Sequence, residues 1–255
     1  MQPNALTLTF GDVAESYVGM EKLGTPSKPL TMQHLEKIHA LHPGSILHRL
    51  NDALPTEIPD QEEAGLLILP KMLQKILLGI DTKVKELETE LLACDWDKKA
   101  LSRGRVVTKR ARYNLVFGDK AEEPQVEKGK GRIIAFETLP LLAYLRNWCM
   151  GLVAYGQSAK PKKLYAEGNL YFHKKAGIGF HGDRERNLVI GIRVGGAFPL
   201  VFQWYHQCKR LGKRMEFNLN DGDIYLMSGK AVGSDWRKSS HFTLRHAAGA
   251  AKYTS

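Results

Sequence analysis

Ile178-Gly179-Phe180-His181-Gly182-Asp183-Arg184-Glu185, with Asn169-Leu170-Tyr171 lying ten residues before Gly179, is the stretch from which the rest of the chain can be read. On an extended segment residues i and i+2 share a face, so His181 and Asp183 project to the same side. A neutral imidazole and a carboxylate placed in this way are two legs of the facial triad that holds non-haem Fe(II) and leaves coordination positions open. Alone, a His-x-Asp more often marks an ordinary histidine–aspartate hydrogen bond. Its neighbours in the sequence give it more weight.

Around this stretch, residues 103–255 alternate in short apolar and polar runs separated by Gly, Asp and Pro. Strands are expected at 112–117, 131–136, 188–194, 200–205, 214–219, 223–227 and 241–245, with one helix over 139–152 whose inner side carries Leu141, Leu142, Leu145, Trp148 and Cys149. Many short strands with hairpin-length connections predict a β-sandwich or barrel with helices packed outside. Residues 1–100 read as helical. Thr31 is an N-cap for a helix whose apolar positions are Met32, Leu35, Ile38 and Leu41. A second helix is expected over 62–78, kinked or restarted at Pro70, and a third over 81–92 with Val84, Leu87 and Leu91 on one stripe. His34, His39, His42 and His48 lack carboxylate or cysteine partners at ligand spacing and read as surface or capping residues. The boundary between the two regions falls within residues 95–105.

The chain has 255 residues, enough for one large domain or two small ones, and 43% hydrophobic with 25% charged residues is ordinary for a globular protein. No apolar run approaches the roughly 18 residues of a membrane span, and residues 1–10 lack the pattern of a secretory signal. Cys94, Cys149 and Cys208 are too few and too scattered for a disulfide framework or a cysteine zinc site. An intracellular setting (cytoplasm or nucleus) is expected. Charge is uneven: residues 1–100 hold 10 basic and 15 acidic side chains, a net of −5, and residues 101–255 hold 27 and 12, a net of +15. A field of that sign points to a polyanion, most commonly nucleic acid.

In order, Asn169-Leu170-Tyr171, Ile178–Asp183, Arg184-Glu185, Phe202-Gln203, Asp221-Gly222-Asp223 and Phe242-Thr243-Leu244-Arg245 resemble the AlkB family of Fe(II)- and 2-oxoglutarate-dependent dioxygenases. The resemblance spans roughly residues 100–250. It implies a double-stranded β-helix (jelly-roll) core over 101–255; with residues 1–100, which it does not cover and which read as a helical N-terminal extension, the expected fold class is α+β. It also implies Fe(II), 2-oxoglutarate and O2 as cofactor and co-substrates. His181 and Asp183 would bind the metal, Asn169 and Tyr171 the 2-oxoglutarate, and Arg245 one of its carboxylates; a guanidinium fork suits a planar carboxylate. The implied reaction yields succinate and CO2 and hydroxylates a C–H bond; on an N-linked methyl the product loses formaldehyde. A protein or metabolite hydroxylase on the same fold, or a non-catalytic nucleic-acid binder, are the alternatives.

The chain departs from the family at the third ligand. Residues 229–238, where a second histidine is expected, contain none. Asp235 is placed first for the position and His246 second, with His241 a further option and a two-ligand site after them. His246 adjoins Arg245, so on a regular strand both cannot face the metal. The position six residues before Arg245 is Ser239, where many relatives carry a second arginine, and Arg193 is a further contender for a carboxylate because a buried arginine needs an anion. The basic run Arg103, Arg105, Lys109, Arg110 and Arg112, beside Tyr113 and Phe117, lies where the family has its nucleotide-recognition flank. The clusters at 128–132, 160–163 and 209–214 read as loops able to follow a phosphate backbone. Oligomeric state is left open.

Overall fold

The computed structural model describes residues 5–58, 61–156 and 163–255. The first half of the chain contains β1 (Ala5–Gly11), β2 (Val13–Glu15), β3 (Lys22–Gly24), α1 (Met32–Leu41), β4 (Ile46–Arg49), β5 (Gly65–Leu69), α2 (Met72–Leu78) and α3 (Val84–Leu92). There follow β6 (Lys99–Ser102), β7 (Arg105–Thr108), β8 (Tyr113–Gly118), β9 (Ile133–Ala135), α4 (Pro140–Gly156), β10 (Tyr165–Tyr171) and β11 (Gly177–His181). The last part holds β12 (Val189–Val194), β13 (Phe198–His206), β14 (Lys209–Leu219), β15 (Ile224–Met227), α5 (Gly229–Val232), β16 (Thr243–Gly249) and α6 (Ala251–Thr254). This is a β-rich α+β fold, and among the described residues no helix is long and apolar enough to cross a membrane.

Two sheets dominate. The large one has the order β4-β5-β15-β12-β1-β10-β8-β9, the small one β11-β16-β13-β14. Alternation along the large sheet divides its side chains between two cores. Leu6, Leu8 and Phe10 of β1, Leu67 and Leu69 of β5, and Ile190, Ile192 and Val194 of β12 meet helices α1–α4 on the outer face. Leu66, Ile68, Val189, Tyr225 and Met227 turn the other way, towards Leu200, Phe202, Trp204 and Leu244 of the small sheet. The central strands of the large sheet therefore have one face for the helices and one for the space between the sheets, while Val116 of β8 and Ile133 of β9 pack on Ala14 and Leu23 of the β2–β3 hairpin.

All seven strands expected after residue 103 are present, as are the helices at 31–41 (α1), 81–92 (α3) and 139–152 (α4). Thr31 caps α1 through a capping box in which His34, not an acid, closes the ring. The reading of residues 1–100 as a helical extension is corrected. The region supplies β1, β4 and β5 to the large sheet, and β1 lies near its centre, antiparallel to both β10 and β12. The helix expected over 62–78 is also corrected: Gly65–Leu69 is a strand and only Met72–Leu78 is helical. Leu66, Leu67, Ile68 and Leu69 are buried on both faces, and periodicity cannot separate such a run from a buried helix. The four N-terminal histidines serve local structure: His34 caps α1, His39 bonds Ser45, His42 bonds the Ile38 carbonyl, and His48 packs on Phe217.

Candidate metal centre

β11 delivers His181 at its end, and the chain then turns sharply. Gly182 permits the turn, because a Cβ there would lie 2.0 Å from the Gly233 carbonyl oxygen. The Asp183 amide donates to Val232 O at 3.0 Å, which pins the turn to the end of α5. β16 runs antiparallel to β11 with His181 and His246 in register, their rings 4.5 Å apart. The Nε2 atoms of both histidines lie 3.6 Å from one oxygen of Asp183, Oδ1, and the donor atoms of all three residues fall within 4.8 Å of one another.

At 3.6 Å neither imidazole hydrogen-bonds the carboxylate. His181 Nδ1 donates to the Gly179 carbonyl at 2.8 Å, so Nε2 presents a lone pair towards Asp183. Burial, helped by His246, pushes the His181 pKa down to about 4, so at neutral pH the ring is uncharged. Burial alone would raise the Asp183 pKa, but the Arg186 guanidinium together with the two histidines outweighs it and holds the carboxyl well below the usual range. A lone pair facing a carboxylate across an unbonded gap is repulsive unless a cation lies between them. The donor set fits a divalent metal, with two nitrogens and one carboxylate.

Arg186 is 3% exposed and organises the surroundings. Its Nε is 3.3 Å from Asp183 Oδ2, and Nη2 reaches Glu167 and Glu185, which leaves Asp183 Oδ1 facing the histidines. Asp12 accepts from the amides of Asn187 and Leu188 and so ties this loop to the turn after β1.

The three residues border a cavity of about 650 Å³ between the sheets. Its large-sheet wall carries a polar row in cross-strand register: Asn114 on β8, Asn169 on β10, Thr7 on β1 and Arg193 on β12. All four are at least nine-tenths buried. Asn169 Oδ1 accepts from Arg112 Nε at 2.6 Å and from Asn114 Nδ2, so its own amide hydrogens are directed elsewhere. Tyr171 lines the same cavity and packs on Phe198. Arg193 is 1% exposed, and among the described residues no carboxylate pairs with it. Its Nη1 donates to Thr7 Oγ1, Nη2 donates to Phe198 O at 3.3 Å, and Nε has no partner. A buried guanidinium held this way suits an anion supplied from outside.

Of the residues singled out in the sequence, His181, Asp183, Asn169, Tyr171, Arg193 and Arg112 converge on this cavity. Asp235 does not reach the histidines. Its Oδ2 is taken by Lys230 Nζ at 2.7 Å, and the third position beside His181 and Asp183 is held by His246. His241 is exposed. Arg245 is likewise corrected as a carboxylate partner. It pairs in register with Gln203, on the strand face opposite His246, and its guanidinium lies 4.0 Å from the centre of the Tyr205 ring and 5.3 Å from that of Trp236. Arg103, Arg105 and Arg110 are exposed, the first two on the β6–β7 hairpin. Lys109 departs from the phosphate-binding expectation: it is turned inward, 6% exposed and 5.8 Å above the Tyr17 ring. Burial lowers its pKa to about 8. Residues 160–162 lie outside the described residues, while Lys163 pairs with Asp119 at 2.6 Å. Thr7, Asn114, Arg186 and Tyr225 of the cavity wall were not foreseen. For Thr7 a signal existed, because Leu6-Thr7-Leu8-Thr9-Phe10 alternates strictly.

No protein-family model matches the chain. It is 40% identical over 255 residues to "Uncharacterized protein R156" of Acanthamoeba polyphaga mimivirus, an alignment that covers 97% of this chain and 96% of that one. Identity of that level along nearly the whole of both chains places this protein in one family with the mimivirus protein.

Proposed function

We propose that this protein is an Fe(II)- and 2-oxoglutarate-dependent dioxygenase, similar to the AlkB family, that hydroxylates or oxidatively demethylates a nucleic-acid base. The observation that carries the reading is the convergence of His181, Asp183 and His246 on a cavity whose facing wall holds Arg193, a buried cation with no paired anion among the described residues. His246 supplies the donor that residues 229–238 lack, which favours a catalytic site over a decayed one.

The strand course supports the double-stranded β-helix. From β10 onward the chain passes between the sheets: β10, β12 and β15 lie in the large sheet, and β11, β13, β14 and β16 in the small one. The winding is completed from the other end of the chain, because β1 fills the slot between β10 and β12. No arginine occurs on β1, and the cation facing that part of the cavity is Arg193 of the adjacent strand.

When bound, iron and 2-oxoglutarate would allow O2 to act as oxidant, one of its oxygen atoms entering a substrate C–H bond and the other the succinate formed as 2-oxoglutarate loses CO2. The protein's own groups position the reactants. His181, Asp183 and His246 would hold the metal through two nitrogens and one carboxylate oxygen. Arg186 fixes the Asp183 carboxylate so that a single oxygen faces inward. The Arg193 fork takes a carboxylate and the Asn169 amide donates into the cavity. Tyr17, Lys22, Arg112, Trp236 and Arg237 also line the cavity, and exposed Arg103 and Arg105 extend the basic surface, which suits a flat base followed by phosphates.

The test is an anaerobic titration with Fe(II) followed by 2-oxoglutarate, monitoring the visible metal-to-2-oxoglutarate charge-transfer band. A saturable band that disappears in His181→Ala, followed by succinate release on alkylated oligonucleotides, is the expected result. Absence of the band at any iron concentration overturns the reading.

A further inference from the structure

The carboxylate subsite is built by more than its arginine. Thr7 lies in register between Asn169 on one side and Arg193 on the other, 5% exposed. Its Oγ1 accepts from Arg193 Nη1. A hydroxyl that accepts from a guanidinium, which has no acceptor of its own, still has its proton to give. Thr7 can therefore aim the fork and also donate alongside it.

Two residues along the same face of β12 lies Gly191, paired with Tyr225 of β15. A Cβ on Gly191 would sit 1.9 Å from the Tyr225 Cζ and 2.4 Å from its Oη. The phenol is thus laid across the bare backbone of β12, and only glycine leaves it room. Tyr225 lines the cavity, is 5% exposed, and feels the charges of both Arg193 and Asp183. Burial pushes its pKa up to about 12, so the phenol keeps its proton.

We infer that Thr7 and Tyr225 are positioning residues which, with Arg193, form the subsite for the distal carboxylate of the 2-oxo acid. Three strands meet there: β1 brings the hydroxyl that orients the guanidinium, β12 the guanidinium and β15 the phenol. The inference rests on the proposed function and adds to it that the N-terminal strand carries part of the co-substrate site.

The experiment is calorimetric titration of the Mn(II)-loaded full-length protein with 2-oxoglutarate and with 2-oxobutyrate, which lacks the distal carboxylate. The variants are Thr7→Val, Thr7→Ser and Tyr225→Phe. Val and Phe preserve shape and delete only the hydroxyl, so a packing role is retained by them, whereas Ser keeps the hydroxyl and loses the methyl. Thr7→Val and Tyr225→Phe are each expected to weaken 2-oxoglutarate about tenfold, the cost of one hydrogen bond to a charged group. Thr7→Ser should stay within about threefold of wild type, and 2-oxobutyrate and Mn(II) affinities should not change. Wild-type affinity in Thr7→Val and Tyr225→Phe, or equal weakening of both acids, overturns the inference and leaves the proposed function standing. Failure of the wild type to bind 2-oxoglutarate at all overturns the proposed function, and this inference with it.

Discussion

Replacing Arg193 by Met should make the ligand-free protein more stable while removing its affinity for 2-oxoglutarate. The guanidinium is 1% exposed, and burial lowers its pKa against the weaker opposing influence of Tyr225, Tyr171 and Asp223. Its compensation in the folded state is small: one bond to Thr7 Oγ1, one of 3.3 Å to Phe198 O, and a position 5.0 Å over the Phe198 ring, with Nε unpaired. Desolvating an ion costs several kcal/mol after relaxation, and buried charged groups exchanged for apolar ones of similar volume gain about 1–4 kcal/mol. Met fills much of the arginine volume and leaves one hydroxyl and one carbonyl to find other partners, an opposing cost of about 1–3 kcal/mol for each group that remains buried and unpaired. The desolvation of the ion outweighs it here because the hydroxyl can rotate and the cavity admits water. The expected result is a gain of about 1–3 kcal/mol in urea unfolding of the metal-free protein at pH 7 and low anion concentration. In saturating metal and 2-oxoglutarate the order should reverse, since only the wild type gains the binding free energy. A destabilised Arg193→Met protein that still binds 2-oxoglutarate with native affinity would refute the reasoning. It would show that Arg193 is a structural cation and not an anion receptor.

Three further outcomes are expected. His246→Ala should reduce Mn(II) affinity by at least about 100-fold, while Asp235→Ala, which breaks the bond to Lys230, should change it by less than about threefold; calorimetric titration of both variants decides which residue is the ligand. Burial raises the Glu167 pKa to about 7 against the pull of Arg186, so the folded state holds a proton that the unfolded chain has released. Stability should therefore fall as pH rises from the ordinary glutamate value near 4.5 to about 7, by up to roughly 3 kcal/mol, and unfolding curves of Glu167→Gln should lack that slope. Arg103→Ala with Arg105→Ala should lower nucleic-acid affinity and reduce the slope of log K against log salt by about 0.9 for each phosphate no longer neutralised, without altering Mn(II) binding. Lys109→Met, its charge already turned inward over Tyr17, should leave that slope unchanged.

Much of the site follows from local pattern. Asn169 and Tyr171 are two residues apart on β10 and share a face for that reason alone, whereas His181 ends β11 and Asp183, two residues on, meets it through the turn at Gly182. The Thr31 cap, the α4 stripe and seven of the strands after residue 103 are properties of neighbouring residues. The charge imbalance between the two parts of the chain needs no structure either. One conflict was also legible: adjacent residues on a strand oppose each other, so His246 and Arg245 could not both face the metal.

Which of the two faces it was decided elsewhere. His246 enters the site because β16 pairs with β11 in a register that sets it beside His181, and the same register sends Arg245 to Tyr205 and Trp236. Asp235 has suitable chemistry and spacing, yet Lys230 of α5 takes it, through a contact from that helix to the turn after it. The position of β1 is the least local feature of all. Leu6, Thr7 and Leu8 specify a strand, but nothing in them specifies that it inserts between β10 and β12, more than 150 residues further along the chain. The sequence by itself determined the chemistry on offer: a histidine, a carboxylate, amides and guanidinium groups on alternating segments. Tertiary structure decided which of them meet, because alternation is dictated by backbone geometry over two residues, whereas strand partner and register depend on burying both faces of a whole sheet at once.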